Sequence, residues 1–185
     1  RLTLDQSEAG APPLPTPEAP PGWLQPETDR AGIDFVHQEN DFVDFDRDRL
    51  LYQMVSAEGP PLAAGDVNGD GLEDLYFGGA KDQAGQLYLA RAGGGFRLAG
   101  LSVFEEDRAA EDSDALFFDA DGDGDLDLYV ASGSYEFPAT SSALKDRLYF
   151  NDGRGGFQRG EQILPAGRYE STGAVEAADY DGDGD

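Results

Sequence analysis

The chain has 185 residues, with 13 Lys and Arg set against 38 Asp and Glu, a formal net charge of −25. Such a surface repels phosphate backbones and anionic lipid heads, so nucleic-acid binding is excluded as a function class. No apolar run reaches the roughly 18 residues of a bilayer-spanning helix, yet 39% hydrophobic and 11% aromatic residues are too many for a disordered acidic tail.

Cysteine is absent, which removes disulfides, thiolate zinc sites and cysteine nucleophiles from consideration. The length suits one domain with a substantial core. The first residue is Arg1 and no signal peptide is visible, so the expectation is a processed chain or a portion of a longer one.

Residues 1–26 hold Pro12, Pro13, Pro15, Pro17, Pro20, Pro21 and Pro26. Each fixes φ and removes a backbone donor, so this stretch reads as an extended arm or linker. Trp23, the single tryptophan, is either an anchor for that arm or simply a residue at a domain edge. Residues 27–185 form the folding part. Within it Ile33, Phe35 and His37 alternate with Asp34 and Val36, which predicts a short strand running toward Val43. The acidic-aromatic stretch Asp41–Asp48 follows and reads as a solvated turn, since its carboxylate spacing fits no ligand template.

An internal repeat then decides the fold class. Asp66-Val67-Asn68-Gly69-Asp70-Gly71-Leu72-Glu73-Asp74 returns as Asp119-Ala120-Asp121-Gly122-Asp123-Gly124-Asp125-Leu126-Asp127 and opens again as Asp179-Tyr180-Asp181-Gly182-Asp183-Gly184-Asp185. A second block recurs in the same order: Leu87-Tyr88-Leu89 with Gly93–Phe96, then Leu148-Tyr149-Phe150 with Gly153–Phe157. Apolar runs enter each loop at Leu62–Ala64 and Ala115–Phe118, and leave it at Leu75–Phe77 and Leu128–Val130. With the Leu-Tyr strand and a last strand from Phe96 or Phe157, each unit has four short strands separated by Gly-rich turns. The reading is all-β: a β-propeller of four-stranded antiparallel blades, with units at 58–110, 111–169 and an incomplete 170–185.

In each loop, positions 1, 3 and 5 carry Asp or Asn: Asp66, Asn68 and Asp70; Asp119, Asp121 and Asp123; Asp179, Asp181 and Asp183. Position 6 is glycine and position 9 is Asp74 or Asp127. This is the arithmetic of a calcium loop, because Ca²⁺ takes six to eight hard oxygens and alternate residues of a tight turn direct theirs inward. Position 7 need offer only its backbone carbonyl, so Leu72, Asp125 and Asp185 all suit it. Ordinary acidic turns explain one such string; three in register point to Ca²⁺ as the cofactor. An EF-hand is excluded, because position 12 is Phe77 or Val130 and the flanks are strands.

The loops, the Phe77-Gly78-Gly79-Ala80 string and the Leu148–Gly153 segment resemble FG-GAP/VCBS repeats, the group that includes integrin α-subunit propellers. The stretch from Asp34 to Asp185 looks closest to bacterial relatives of cartilage acidic protein, which often end in an ASPIC/UnbV domain; no such domain is visible here. The resemblance implies a seven- or eight-bladed propeller on a secreted or cell-surface protein, with Ca²⁺ at the blade loops. In bacteria it suggests the outer-membrane surface, with a protein or glycan partner, in some cases the nutrient-uptake machinery. Seven such blades need far more chain than 185 residues, so this is expected to be part of a larger propeller.

Catalysis is not expected. The single histidine, His37, has Glu39 and Asp41 nearby but reads as a surface residue on a strand. Only Lys81 and Lys145 supply lysine, which is poor material for the alternative, a Ca-dependent polysaccharide lyase. Glu58, Glu111 and Glu170 precede the three loops at similar distances and read as solvated strand starts, with channel-lining or support of the loops as the other options. The acidity beyond the loops fits either a saline habitat or simple solubility.

Overall fold

The computed structural model describes residues 28–56, 59–160 and 169–179. The expectations for the 1–26 arm and Trp23, for Glu58, and for Asp181, Asp183 and Asp185 lie outside those residues.

Two four-stranded antiparallel sheets carry the fold, each in simple sequential order. The first contains β1 (Leu62–Gly65), β2 (Asp74–Phe77), β3 (Gln86–Ala90) and β4 (Phe96–Leu98). The second contains β5 (Asp112–Phe118), β6 (Asp127–Ser132), β7 (Arg147–Asn151) and β8 (Phe157–Arg159). Registers correspond between the sheets: Gly65 pairs with Asp74 as Phe118 pairs with Asp127, and Leu75 pairs with Tyr88 as Leu128 pairs with Tyr149. Each acidic loop is therefore the connection from the first strand of a sheet to its second.

The core lies between the sheets. Ala63, Tyr76, Leu87 and Leu89 of the first face Ala115, Leu128, Val130, Tyr149 and Phe157 of the second. The β4–β5 connection contributes a five-residue helix, Ser102–Glu106, whose Phe104 is buried. Its ring stands edge-on to Tyr76 at 5.3 Å and to Tyr149 at 5.2 Å, an arrangement aromatic pairs favour.

A buried polar network fastens the seam. Asp112 Oδ2 accepts from Tyr76 Oη and from Gly79 N–H, both at 2.9 Å, and its Oδ1 accepts from Arg147 Nη2 at 2.5 Å. Asp112 N–H also donates to Gly79 O at 2.9 Å. Glycine is required at this crossing: a Cβ on Gly79 would stand 2.0 Å from Gln83 O, and one on Gly78 2.7 Å from Asp112 Cβ.

Residues 169–179 repeat the same step against the second sheet. Thr172 N–H donates to Ser132 O at 3.0 Å, at the positions that correspond to Asp112 and Gly79. Val175 N–H reaches Asp114 Oδ2 at 2.8 Å. The third unit thus begins by docking on the second as the second docks on the first.

Four expectations are corrected. Ile33–Val43 has no regular secondary structure; its burial alternates from Ile33 to His37, but it joins neither sheet. Side chains hold it instead: Gln83 Nε2 donates to Val36 O at 2.8 Å, and Tyr88 Oη donates to Asp34 Oδ1 at 2.6 Å. The Asp41–Asp48 stretch is not simply a solvated turn, because Asp44 opens a short helix (Asp44–Arg47) and is fully buried, its Oδ2 accepting from Ser56 N–H at 3.0 Å. His37 is not an open surface residue; its side chain is 14% exposed and Nε2 meets Glu39 Oε1 at 2.6 Å. Glu111 is half-buried rather than solvated, in the vicinity of Ser134, Glu136, Glu39 and Lys81.

Candidate metal centre

Both described acidic loops turn by the same mechanism. In the first, Asp66 Oδ2 accepts from Gly71 N–H at 2.8 Å, Asn68 Oδ1 from Asp70 N–H at 3.0 Å, and Asp70 Oδ1 from Leu72 N–H at 2.9 Å. In the second, Asp119 Oδ2 accepts from Gly124 N–H at 2.9 Å, Asp121 Oδ1 from Asp123 N–H at 3.2 Å, and Asp123 Oδ1 from Asp125 N–H at 2.9 Å. Short acidic side chains cap their own backbone in this way and shape the turn. Position 6 needs glycine because φ is +85° at Gly71 and +93° at Gly124, a region that costs a residue with a Cβ.

The position-9 aspartates are the buried members. Asp74 and Asp127 are at most 1% exposed. Asp74 Oδ2 accepts from Val67 N–H at 3.2 Å and Oδ1 from Ala90 N–H at 2.7 Å. Asp127 matches it, with Ala120 N–H at 3.0 Å and Asn151 N–H at 2.8 Å. Each therefore ties its loop to the third strand of its sheet. Burial, the largest influence, pushes both carboxyls up, and neighbouring loop carboxylates add to it (Asp70 and Asp66 for Asp74, Asp121 and Asp123 for Asp127). Asp66, by contrast, is held below the usual carboxylate value, chiefly by the Gly71 N–H bond.

Carboxylate oxygens of Asp119, Asp121 and Asp127 lie within 4.8 Å of one another. Ca–O bonds of 2.3–2.6 Å place two ligands of one ion at most about 5 Å apart, so this set fits a single hard cation. Asp123 and Asp125 do not join that group; the Asp125 carboxylate lies against the Gly153 turn. In the first loop Asn68 replaces the middle carboxylate, its Nδ2 donating to Asp74 Oδ2 at 3.3 Å, and among the described residues Asp66, Asp70 and Asp74 do not form a like cluster. Of the third loop only Asp179 is described.

One contributor has no counterpart in the motif. Asn151, buried at the end of β7, donates through Nδ2 to Val67 O of the first loop at 2.8 Å and to Leu126 O of the second at 3.0 Å. It couples the two loops across the sheet boundary. The Leu-Tyr-Phe-Asn-Asp-Gly string marks the residue, but its reach to Val67 appears only in three dimensions.

No helix among the described residues is long and apolar enough to cross a membrane. No curated protein and no solved structure gives a significant match. A family model described as FG-GAP-like repeat matches residues 66–130, from the start of the first acidic loop through the second and into β6. That stretch, which runs from the loop of the first sheet to the second strand of the second, is similar to an FG-GAP-like repeat.

Proposed function

We propose that the chain is a calcium-binding part of a β-propeller, on a secreted or cell-surface protein, and that it binds a protein or glycan partner rather than catalysing a reaction. The observation that carries the reading is the cluster of Asp119, Asp121 and Asp127 oxygens within 4.8 Å, at the same loop position where Asp66, Asn68 and Asp74 stand in the neighbouring sheet. Asp119, Asp121 and Asp127 would hold Ca²⁺ in the second loop and Asp66, Asn68, Asp70 and Asp74 in the first, with Asp179 opening a third. When bound, Ca²⁺ supplies the positive charge that offsets repulsion among these carboxylates. A secreted or surface setting suits such loops, since extracellular modules with sites in the 10⁻⁴–10⁻³ M range are filled by the calcium outside cells. Kinship with the bacterial surface relatives of cartilage acidic protein, and an approach to outer-membrane uptake machinery, belong to the same proposal.

Calcium titration by calorimetry tests it. At least two saturable sites are expected at pH 7.5, one of them lost in Asp127→Asn. Affinity should fall at acid pH, because Asp74 and Asp127 hold protons more tightly than ordinary carboxylates and Ca²⁺ must displace them. Absence of saturable binding at millimolar Ca²⁺ would overturn the reading.

A further inference from the structure

The acidic loops join first strands to second strands, so the segment that leaves β6 emerges at the opposite end of the sheets. There a cavity of about 510 Å³ opens between Ser134–Ala139, the Arg47–Asp48 turn and residues 169–171. Its volume lies within the range of about 300–1,000 Å³ for small-molecule sites. Three stretches of chain far apart in sequence converge on it, and none of them takes part in the loops.

Arg47 lies across the Tyr135 ring, 5.7 Å from its centroid. Its Nη1 donates to Tyr135 O and to Phe137 O, the latter at 2.8 Å. Two carbonyls thus fix the guanidinium, while its Nη2 and Nε edge makes no hydrogen bond to the described residues. Asp48 stands beside it, accepting from Leu50 N–H at 3.0 Å through Oδ1 and from Tyr135 Oη at 3.4 Å through Oδ2, and a carboxylate oxygen can accept a second bond. Glu170 and Tyr169, the latter 46% exposed, complete the wall.

The chemistry of this lining selects among ligands. A cationic ligand meets the fixed Arg47 guanidinium, and the protein's own cations already lie over two of the rings: Arg47 over Tyr135 and Lys81 over Phe137 at 5.6 Å. An anionic ligand meets Asp48 and a chain of net charge −25. A neutral ring with hydroxyls at its edge and apolar C–H groups on its face meets neither objection. Its hydroxyls accept from the guanidinium edge and donate to the Asp48 carboxylate, and its C–H face packs on Tyr169, an amphipathic surface suited to that role. We infer that this cavity is a binding site for a neutral saccharide. The inference rests on reading the chain as a binding module and names the ligand class for that role.

The test uses the full-length protein in millimolar Ca²⁺. Arrays carrying neutral oligosaccharides ending in glucose, galactose, mannose or N-acetylglucosamine are compared with uronate-containing glycans and Lys-rich peptides, and array hits are quantified by calorimetry. Binding to at least one neutral oligosaccharide is expected, weakened about tenfold or more by Tyr169→Ala and by Arg47→Lys. Leu50→Ser, at a site 93% exposed and outside the lining, should bind as the parent does. Tyr169 is surface-exposed, so Tyr169→Ala should keep the parent melting temperature, which separates ligand loss from unfolding. Failure of every neutral saccharide, preference for uronates or Lys-rich peptides, or unchanged binding in both cavity variants would overturn the inference. Calcium titration of the same preparation separates the two ideas: filled loops with no saccharide bound would sink this site and leave the calcium reading standing.

Discussion

Glu111 precedes β5 at the end of the sheets away from the acidic loops, and its pKa is pushed up to about 7. Burial is the main cause; the charges of Glu136 and Glu39 add to it, against a hydrogen bond from Ser134 and the charge of Lys81. The folded chain therefore favours the protonated form. Its contribution to stability is complete below the ordinary glutamate range near 4.5 and is lost as pH rises through about 7. Glu111→Gln should leave stability nearly unchanged at pH 4.5 and raise it by about 1–2 kcal/mol at pH 8, a figure reduced for solvent screening of a half-buried group. Urea unfolding at the two pH values checks this. At this scale the sequence was informative about which residues form the acidic loops and less so about what else they bond. Position-9 Asp is legible as a member of the acidic loop because the rest of the loop sits within one short string. Its bond to Ala90 or Asn151 N–H is not, because that depends on how β2 pairs with β3 and β6 with β7.

Among the elements, the repeated strings placed the strands well, since a Leu-Tyr pair followed by a Gly-rich turn carries its own boundaries. The seam between the sheets was invisible. Asp112, Arg147 and Tyr76 come from three strands, and each alone reads as an ordinary strand residue. Arg147 and Asp112 are 4% and 5% exposed, so each depends on the other for compensation of its charge. Arg147→Met is expected to cost about 3–5 kcal/mol, because it strands the Asp112 carboxylate in the core. The double variant Arg147→Met with Asp112→Asn should recover a good part of that loss. Equilibrium denaturation of the two single variants and the double closes the cycle; additive losses would mean that the pair does not act as a unit. The Ile33–His37 segment shows the converse error. Alternation reports which side chains are buried, and here it was correct, but backbone pairing requires an open sheet edge, and Gln83 and Tyr88 hold this segment by side chains instead.

Over the whole molecule, one step is applied twice: Asp112 N–H to Gly79 O, then Thr172 N–H to Ser132 O. Such repetition explains why a search for repeats exposed the architecture, and why the cavity bounded by Arg47, Tyr135 and Tyr169 stayed hidden, since it belongs to no repeat. It also places an acidic turn at the same end of each sheet, so that carboxylate repulsion accumulates there in a chain already at −25. A cation bound at those turns stabilises the folded state by mass action, about 2.7 kcal/mol per site at 100 times its Kd. The most direct measurement is a thermal melt of the protein in millimolar Ca²⁺, in excess EDTA, and in EDTA followed by Ca²⁺ or Mg²⁺ in excess of the chelator. The account predicts a large fall in Tm with EDTA that Ca²⁺ reverses and Mg²⁺ does not, Mg²⁺ being smaller and demanding a stricter octahedral shell. Equal melting temperatures in all four conditions, together with no calcium in the purified protein by elemental analysis, would contradict it.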